Sequence, residues 1–255
     1  MGGGAEGGRG RRREADAAGP PLSPFHGRTA RRRRHRPGRC PGALAVRAGR
    51  NGTGIVSAIA VRGALWFRGF LDRAAQERLV DEIRAVVAAA PLFAPVTRRG
   101  QPLSVRMTSA GRCGWVSDRK GYRYEPRHPD GMPWPPLPPT VAAAWEALSG
   151  WPAPPDCCLV NWYDPGARMG LHQDRDEADF SAPVLSLSLG DTGVFRIGAE
   201  ARGGRTDRID LASGDALLLT GPSRLAHHGI ARILPGTSTL LPAPGRINLT
   251  CRVVG

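Results

Sequence analysis

Residues 184–189, Val-Leu-Ser-Leu-Ser-Leu, place leucine at 185, 187 and 189 and serine at 186 and 188. Alternation with period 2 is the mark of a β-strand whose two faces meet different surroundings. Comparable short runs lie on both sides. Cys158–Tyr163 reads as a strand closed by the turn Asp164-Pro165-Gly166. Val194–Ile197, Ile209–Leu211, Ala216–Thr220 and Ile247–Val254 follow at hairpin-like spacing. Several short strands punctuated by glycine turns predict a sandwich, barrel or jelly roll.

Upstream the texture is helical. Leu79, Ile83, Val86, Val87 and Ala90 form one apolar face of a helix predicted from Leu71 to Ala90, with Pro91 ending it. A second, short helix is predicted from Val141 to Leu148, with Thr140 as its N-cap and Gly150 beyond its end. Residues 95–139 read as short strands and loops, and order is expected to begin near Ala64-Leu65-Trp66-Phe67. The expected fold class is therefore mainly β (α+β).

Composition bounds the rest. A hydrophobic content of 41% over 255 residues supports a real core. No run of eighteen or more apolar residues occurs, so no transmembrane helix is expected. The formal charge is +14, but residues 1–50 hold 13 of the 36 basic residues and only 3 of the 22 acids, a balance of +10. The excess therefore belongs mostly to a Gly/Arg-rich segment, and whole-chain charge says little about the fold's own partners. Residues 1–55 are read as a disordered basic tail, either an arm for nucleic-acid phosphates or dispensable, and 56–255 as the folded domain. None of the five cysteines forms a CxxC pair, and vicinal Cys157 and Cys158 are not expected to bridge each other. With no secretory apolar stretch at the N-terminus, a reduced, cytoplasmic protein without a zinc site is expected.

Two patterns carry chemistry. In His172-Gln173-Asp174, residues i and i+2 of a strand would share a face, letting an imidazole and a carboxylate approach one ion. A third ligand from a distant strand would complete a facial set with open positions, the geometry of a non-haem Fe(II) oxygenase. Of the six histidines, His26 and His35 lie in the tail and His128 in a Pro-rich loop, leaving His227 or His228. Neighbouring Asp176, Glu177 and Asp179 leave open which carboxylate binds. In the second pattern, Arg246, Asn248, Thr250 and Arg252 share one face of a strand whose other face, Ile247, Leu249, Cys251 and Val253, looks like core. Arginines inside a barrel would need anions, such as those of a dicarboxylate; on an edge strand they would simply be solvated.

Several segments together resemble one family. They are Asn161 through Ala167, Leu171 through Glu177, Ser186 to Gly190, Ser223-Arg224-Leu225 with His228-Gly229-Ile230, and Arg246 through Arg252. Met107-Thr108, Cys113-Gly114-Trp115 and Gly121-Tyr122-Arg123-Tyr124 belong to the same likeness. The chain is similar over roughly residues 60–255 to the AlkB family of Fe(II)- and 2-oxoglutarate-dependent demethylases. The resemblance implies a double-stranded β-helix (jelly roll) with flanking helices and a nucleotide-recognition lid at about 93–135. It implies His172, Asp174 and His228 as iron ligands. Arg246, helped by Tyr163, would take the distal carboxylate of 2-oxoglutarate, with Asn161, Asn248 and Arg252 near its chelating end. Trp115 and His172 would sandwich a flipped base and Asp176 would read its exocyclic amine, while Tyr122, Met107 and Arg202 are further nucleotide contacts.

The implied activity uses Fe(II), 2-oxoglutarate and O2. It is oxidative demethylation of 1-methyladenine or 3-methylcytosine in DNA, preferably single-stranded, with release of formaldehyde and succinate. Double-stranded DNA and RNA, including tRNA, are alternative substrates, and a non-catalytic nucleic-acid binding module is the rival from another class. No membrane partner and a monomeric state are expected. Residues 98–103 (Arg-Arg-Gly-Gln-Pro-Leu) depart from the family's more aromatic lid, Ile247 replaces an aromatic, and the tail has no counterpart.

Overall fold

The computed structural model describes residues 43–47 and 55–255. Three strands open the described chain: β1 (Ala43–Arg47), β2 (Ile55–Val61) and β3 (Ala64–Phe67). β1 pairs antiparallel with β2, so pairing begins inside the segment read as a tail; the apolar run Ala43-Leu44-Ala45-Val46 supplies the strand. The remainder of that segment lies outside the described residues. Helix α1 (Arg73–Ala89) follows, capped by Asp72, whose Oδ1 accepts the Ala75 N–H at 2.7 Å. Then come β4 (Val105–Gly111), β5 (Gly114–Asp118) and β6 (Gly121–Glu125), and helix α2 (Pro139–Leu148). Pro138, not Thr140, is the cap residue of α2. Thr140 is already inside the helix, and its hydroxyl donates to Glu82 of α1 at 2.8 Å.

The β-rich half contains β7 (Cys157–Tyr163), β8 (Met169–His172), β9 (Val184–Gly190) and β10 (Thr192–Ile197). It closes with β11 (Asp207–Leu211), β12 (Ala216–Leu219), β13 (His228–Leu234) and β14 (Arg246–Arg252). Eight strands form a major sheet in the order β1-β2-β3-β12-β9-β14-β7-β4, four a minor sheet in the order β11-β10-β13-β8, and β5-β6 is a separate hairpin. This is the jelly roll, with few helices.

Strand alternation sorts the two cores. Cys158 and Val160 of β7, Leu185, Leu187 and Leu189 of β9, and Ile247, Leu249 and Cys251 of β14 pack on one side of the major sheet. There they meet Leu79, Ile83 and Val86 of α1 and Val141, Trp145 and Leu148 of α2. The opposite residues, among them Leu159, Tyr163, Val184, Leu217 and Leu219, face Phe195, Ile197, Leu211 and Ile230 of the minor sheet. The helices thus screen one face, and the other looks into the space between sheets. β14 lies between β9 and β7 with every residue buried, so it is not an edge strand and its arginines are not solvated. Among the described residues no helix is long and apolar enough to cross a membrane.

Candidate active site

Polar residues are costly between two sheets unless something answers them, and here they converge. A cavity of about 390 Å³ is lined from the major sheet by Asn161, Tyr163, Arg246, Asn248 and Arg252. The minor sheet and the chain just after β8 contribute His172, Asp174 and His228, and the β5–β6 hairpin contributes Trp115 and Tyr122.

β8 and β13 pair so that His172 and His228 are cross-strand partners, their rings 4.6 Å apart. His172 is the last residue of its strand, so Asp174 does not reach the ion by strand alternation as expected. The chain turns out of β8, and buried arginines hold it in place. Arg224 donates to the carbonyls of Asp174 (2.9 Å) and Ala182 (2.7 Å), while Arg252 donates to Asp174 Oδ1 at 2.9 Å. One donor atom from each of His172, Asp174 and His228 then lies within 4.8 Å of the others. The Nδ1 atoms of His172 and His228 each lie 2.9 Å from a carbonyl, of Gly170 and Ala226. A carbonyl can only accept, so Nδ1 carries the proton and Nε2 presents its lone pair to the centre.

Charge follows the same plan. Burial pushes the Asp174 carboxyl up, but Arg252, His228 and His172 outweigh it and hold the group ionised below the usual carboxylate range. Burial pushes the His228 imidazole down to about 4, so it is neutral near pH 7, as a metal ligand must be.

The structure separates the alternatives that sequence left open. His227 turns away, its Nδ1 3.4 Å from the Ala199 carbonyl. Asp176 accepts the Trp115 indole N–H at 2.9 Å, and Asp179 accepts from Ser181. Glu177 is buried, paired with Arg224 at 3.1 Å and bonded by the Tyr124 hydroxyl. Glu177 and Arg224 therefore support the site; the sequence offered Glu177 only as a competing carboxylate and gave Arg224 no role, because their pairing is a tertiary contact across 47 residues.

At the other end of the cavity, Arg246 is fully buried with no carboxylate among its partners. It donates to Ser188 Oγ (2.8 Å) and to the carbonyls of Leu211 (3.0 Å) and Asp191 (3.3 Å). Burial pulls its guanidinium down to about 10, still cationic at neutral pH. Tyr163 is buried beside the cavity with its phenol pushed up to about 12 by burial, so it stays a donor. Asn248 donates to Ser186 Oγ at 2.7 Å and accepts from Thr250 at 3.0 Å.

Among the described residues, four buried side-chain atoms find no hydrogen-bond partner: Asn161 Oδ1, Asp174 Oδ2, Arg246 Nε and Arg252 Nε. All four residues line this cavity. Asn161 Oδ1 and Asp174 Oδ2 are acceptors suited to a cation; Arg252 Nε lies 3.4 Å from Glu177 Oε1, which leaves Arg246 Nε as the donor suited to an anion. A divalent metal together with a small carboxylate satisfies both kinds.

The nucleotide candidates divide. Trp115 and Tyr122 stack with ring centroids 5.5 Å apart at the cavity mouth. Met107 is buried in the cavity wall. Arg202 is exposed and does not line the cavity. Sequence reasoning also missed Gly193, where a Cβ would sit 2.8 Å from Arg246 Nε; only hydrogen leaves room for the guanidinium.

Residues 63–252 match the family model of the 2OG-Fe(II) oxygenase superfamily. The chain is 56% identical over 185 residues to the alpha-ketoglutarate-dependent dioxygenase AlkB homolog of Caulobacter vibrioides, covering 72% of this chain and 84% of that one. It is 39% identical over 198 residues to alpha-ketoglutarate-dependent dioxygenase AlkB of Escherichia coli, covering 76% and 91%. Partial matches reach a DNA N(6)-methyladenine demethylase of Arabidopsis thaliana (42% over 108 residues, 38% and 24% covered) and a tRNA demethylase of Schizosaccharomyces pombe (36% over 83 residues, 32% and 28% covered). The solved structure of OsALKBH1 superposes with a TM-score of 0.64 at 32% identity, covering 76% of this chain and 98% of that one.

Proposed function

The chain belongs to the AlkB family of the 2OG-Fe(II) oxygenase superfamily and is an Fe(II)- and 2-oxoglutarate-dependent dioxygenase, and we propose that it demethylates N-alkylated bases in DNA as direct-reversal repair. The favoured lesions are 1-methyladenine and 3-methylcytosine in single strands. The observation that carries this reading is one cavity that joins a His-Asp-His cluster, a fully buried arginine, Arg246, with no carboxylate among its hydrogen-bond partners, and a stacked aromatic pair at its mouth.

His172, Asp174 and His228 would hold the iron, with Nε2 of each histidine and Asp174 Oδ2 as donors. Arg246 would take the distal carboxylate of 2-oxoglutarate, with Ser188 fixing the guanidinium and Tyr163 supplying a further donor. Arg252, Asn161 and Asn248 would lie at its chelating end. Bound iron and 2-oxoglutarate supply the oxidising power, consuming O2 and yielding succinate, carbon dioxide and a hydroxylated N-methyl group. The hydroxymethyl adduct then loses formaldehyde and leaves the repaired base.

The chain's own part is positioning and exclusion of water. Trp115, kept in orientation by its bond to Asp176, would stack on the extruded ring across from His172. Asp176 accepts that bond through Oδ2, and its other oxygen is the candidate acceptor for an exocyclic amine. Extruding a base has an unstacking cost, smallest for single strands and unpaired lesions, which favours single-stranded substrate. The partial match to a tRNA demethylase gives a second reading, the same chemistry on RNA.

His172→Ala and Asp174→Ala are expected to abolish succinate formation, measured directly with a methylated oligonucleotide present. Succinate at the wild-type rate in both variants would contradict the ligand assignment. Matched DNA and RNA oligonucleotides, scored for the restored base by mass, decide between the two readings.

A further inference from the structure

Four cations lie on two adjoining segments beside the cavity mouth. Arg98 and Arg99 lie in the loop before β4, and Arg119 and Lys120 in the turn between β5 and β6; all four are exposed. None of them forms an ion pair with any described residue, whereas the hairpin's own acids, Asp118 and Glu125, are both taken by Arg123.

The two segments are locked to each other. The loop is pinned to β5 where Ser117 and Val96 exchange hydrogen bonds, Ser117 Oγ donating to Val96 O at 2.6 Å and Val96 N to Ser117 O at 3.2 Å. Arg119 crosses over Gly100, where a Cβ would lie 3.2 Å from its Nε, and Arg98 crosses over Gly121, where a Cβ would lie 2.8 Å from its Nε. Arg98 also reaches over the Tyr122 ring, with Cζ 5.9 Å from the centroid, and Tyr122 stacks on Trp115. A continuous path therefore runs from unpaired cations, across an exposed aromatic, to the cavity that holds the His-Asp-His cluster.

Exposed cations on adjoining loops, where the nearby acids Asp118 and Glu125 are already paired with Arg123, present a positive patch that attracts a polyanion. Cations beside a stacking platform are the means by which single strands are gripped without reading sequence. We propose that Arg98, Arg99, Arg119 and Lys120 form a track for the phosphodiester backbone of single-stranded DNA, guiding the strand so that one base passes Tyr122 and Trp115 into the cavity. The proposal rests on the nucleic-acid reading above. It also assigns a use to residues 98–103, where this chain departs from the family it resembles.

The test uses the full chain, wild type and the double variants R98A/R119A and R98K/R119K. Binding of an unmodified, labelled oligothymidylate is followed by fluorescence anisotropy across a salt series, and demethylation kinetics are measured on a 1-methyladenine oligonucleotide. Each lost phosphate contact on a single strand lowers the log–log salt slope by about 0.7, so R98A/R119A is expected to lower it by about 1.4 and to weaken binding by on the order of tenfold. The kinetic loss falls in KM rather than kcat, and R98K/R119K restores most of both.

An unchanged salt slope and KM in R98A/R119A would overturn the track, as would a lysine variant no better than the alanine one. A larger effect of R98A/R119A on an RNA strand of matched sequence would overturn the choice of DNA. Failure of the functional reading looks different: wild type would bind with the expected charge dependence yet release no formaldehyde, and the track would stand.

Discussion

At the residue scale, Arg246 is the most informative side chain. A guanidinium with no exposure normally has a carboxylate beside it, because an unpaired buried charge is expensive. Here its partners are a serine hydroxyl and two carbonyls, and its Nε is unanswered. The proposed partner for that charge is the cosubstrate's distal carboxylate. Arg246→Lys keeps the charge but loses the planar fork that meets a carboxylate with two bonds. The expected result is a KM for 2-oxoglutarate raised by on the order of tenfold or more, with kcat at saturation largely kept. A titration of 2-oxoglutarate against succinate formation checks it, and an unchanged KM would remove Arg246 from the cosubstrate site.

At the scale of elements, sequence carried some features cleanly and missed others for physical reasons. Helix α1 was legible because Leu79, Ile83 and Val86 repeat on one face and Pro91 ends the run. β14 was legible because its polar and apolar residues alternate, and the structure places both sets as expected, Arg246 and Arg252 toward the cavity and Ile247 and Leu249 toward the helices. The strand argument named His172 and Asp174, which the structure does bring together, but by a different geometry. β8 ends at His172, and tertiary bonds from Arg224 and Arg252, far away in sequence, place the carboxylate. No local pattern can report such bonds. Gly193 was silent for the same reason, since its need for hydrogen comes from β14 packing across from β10. Gly193→Ala is expected to displace the Arg246 guanidinium and raise the KM for 2-oxoglutarate, with an intact fold by circular dichroism. A variant with wild-type KM would show that the neighbouring strands give way cheaply.

At the scale of the molecule, the sequence specified a β-rich fold but not which strands meet. β3 neighbours β12 and β9 neighbours β14, pairings that join strands far apart in the chain. The family resemblance named the jelly roll in advance but not the order of its strands. Charge was better read by region than in total. The basic excess of residues 1–50 says little about the folded part. The cations that matter near the cavity are few and local, Arg98, Arg99, Arg119 and Lys120. The two sheets and the hairpin bring three groups of side chains to one cavity: a His-Asp-His cluster, the buried Arg246 with Tyr163, and an aromatic mouth. That convergence favours an oxygenase over a module that merely binds nucleic acid, because binding alone would not require Arg246 to be buried without a carboxylate among its hydrogen-bond partners. The most direct measurement is formaldehyde release from a single-stranded DNA oligonucleotide carrying one 1-methyladenine, with Fe(II), ascorbate and oxygen, in the presence and absence of 2-oxoglutarate. Release that requires 2-oxoglutarate and restores adenine is the expected result. No release while 2-oxoglutarate is consumed would contradict the proposed substrate.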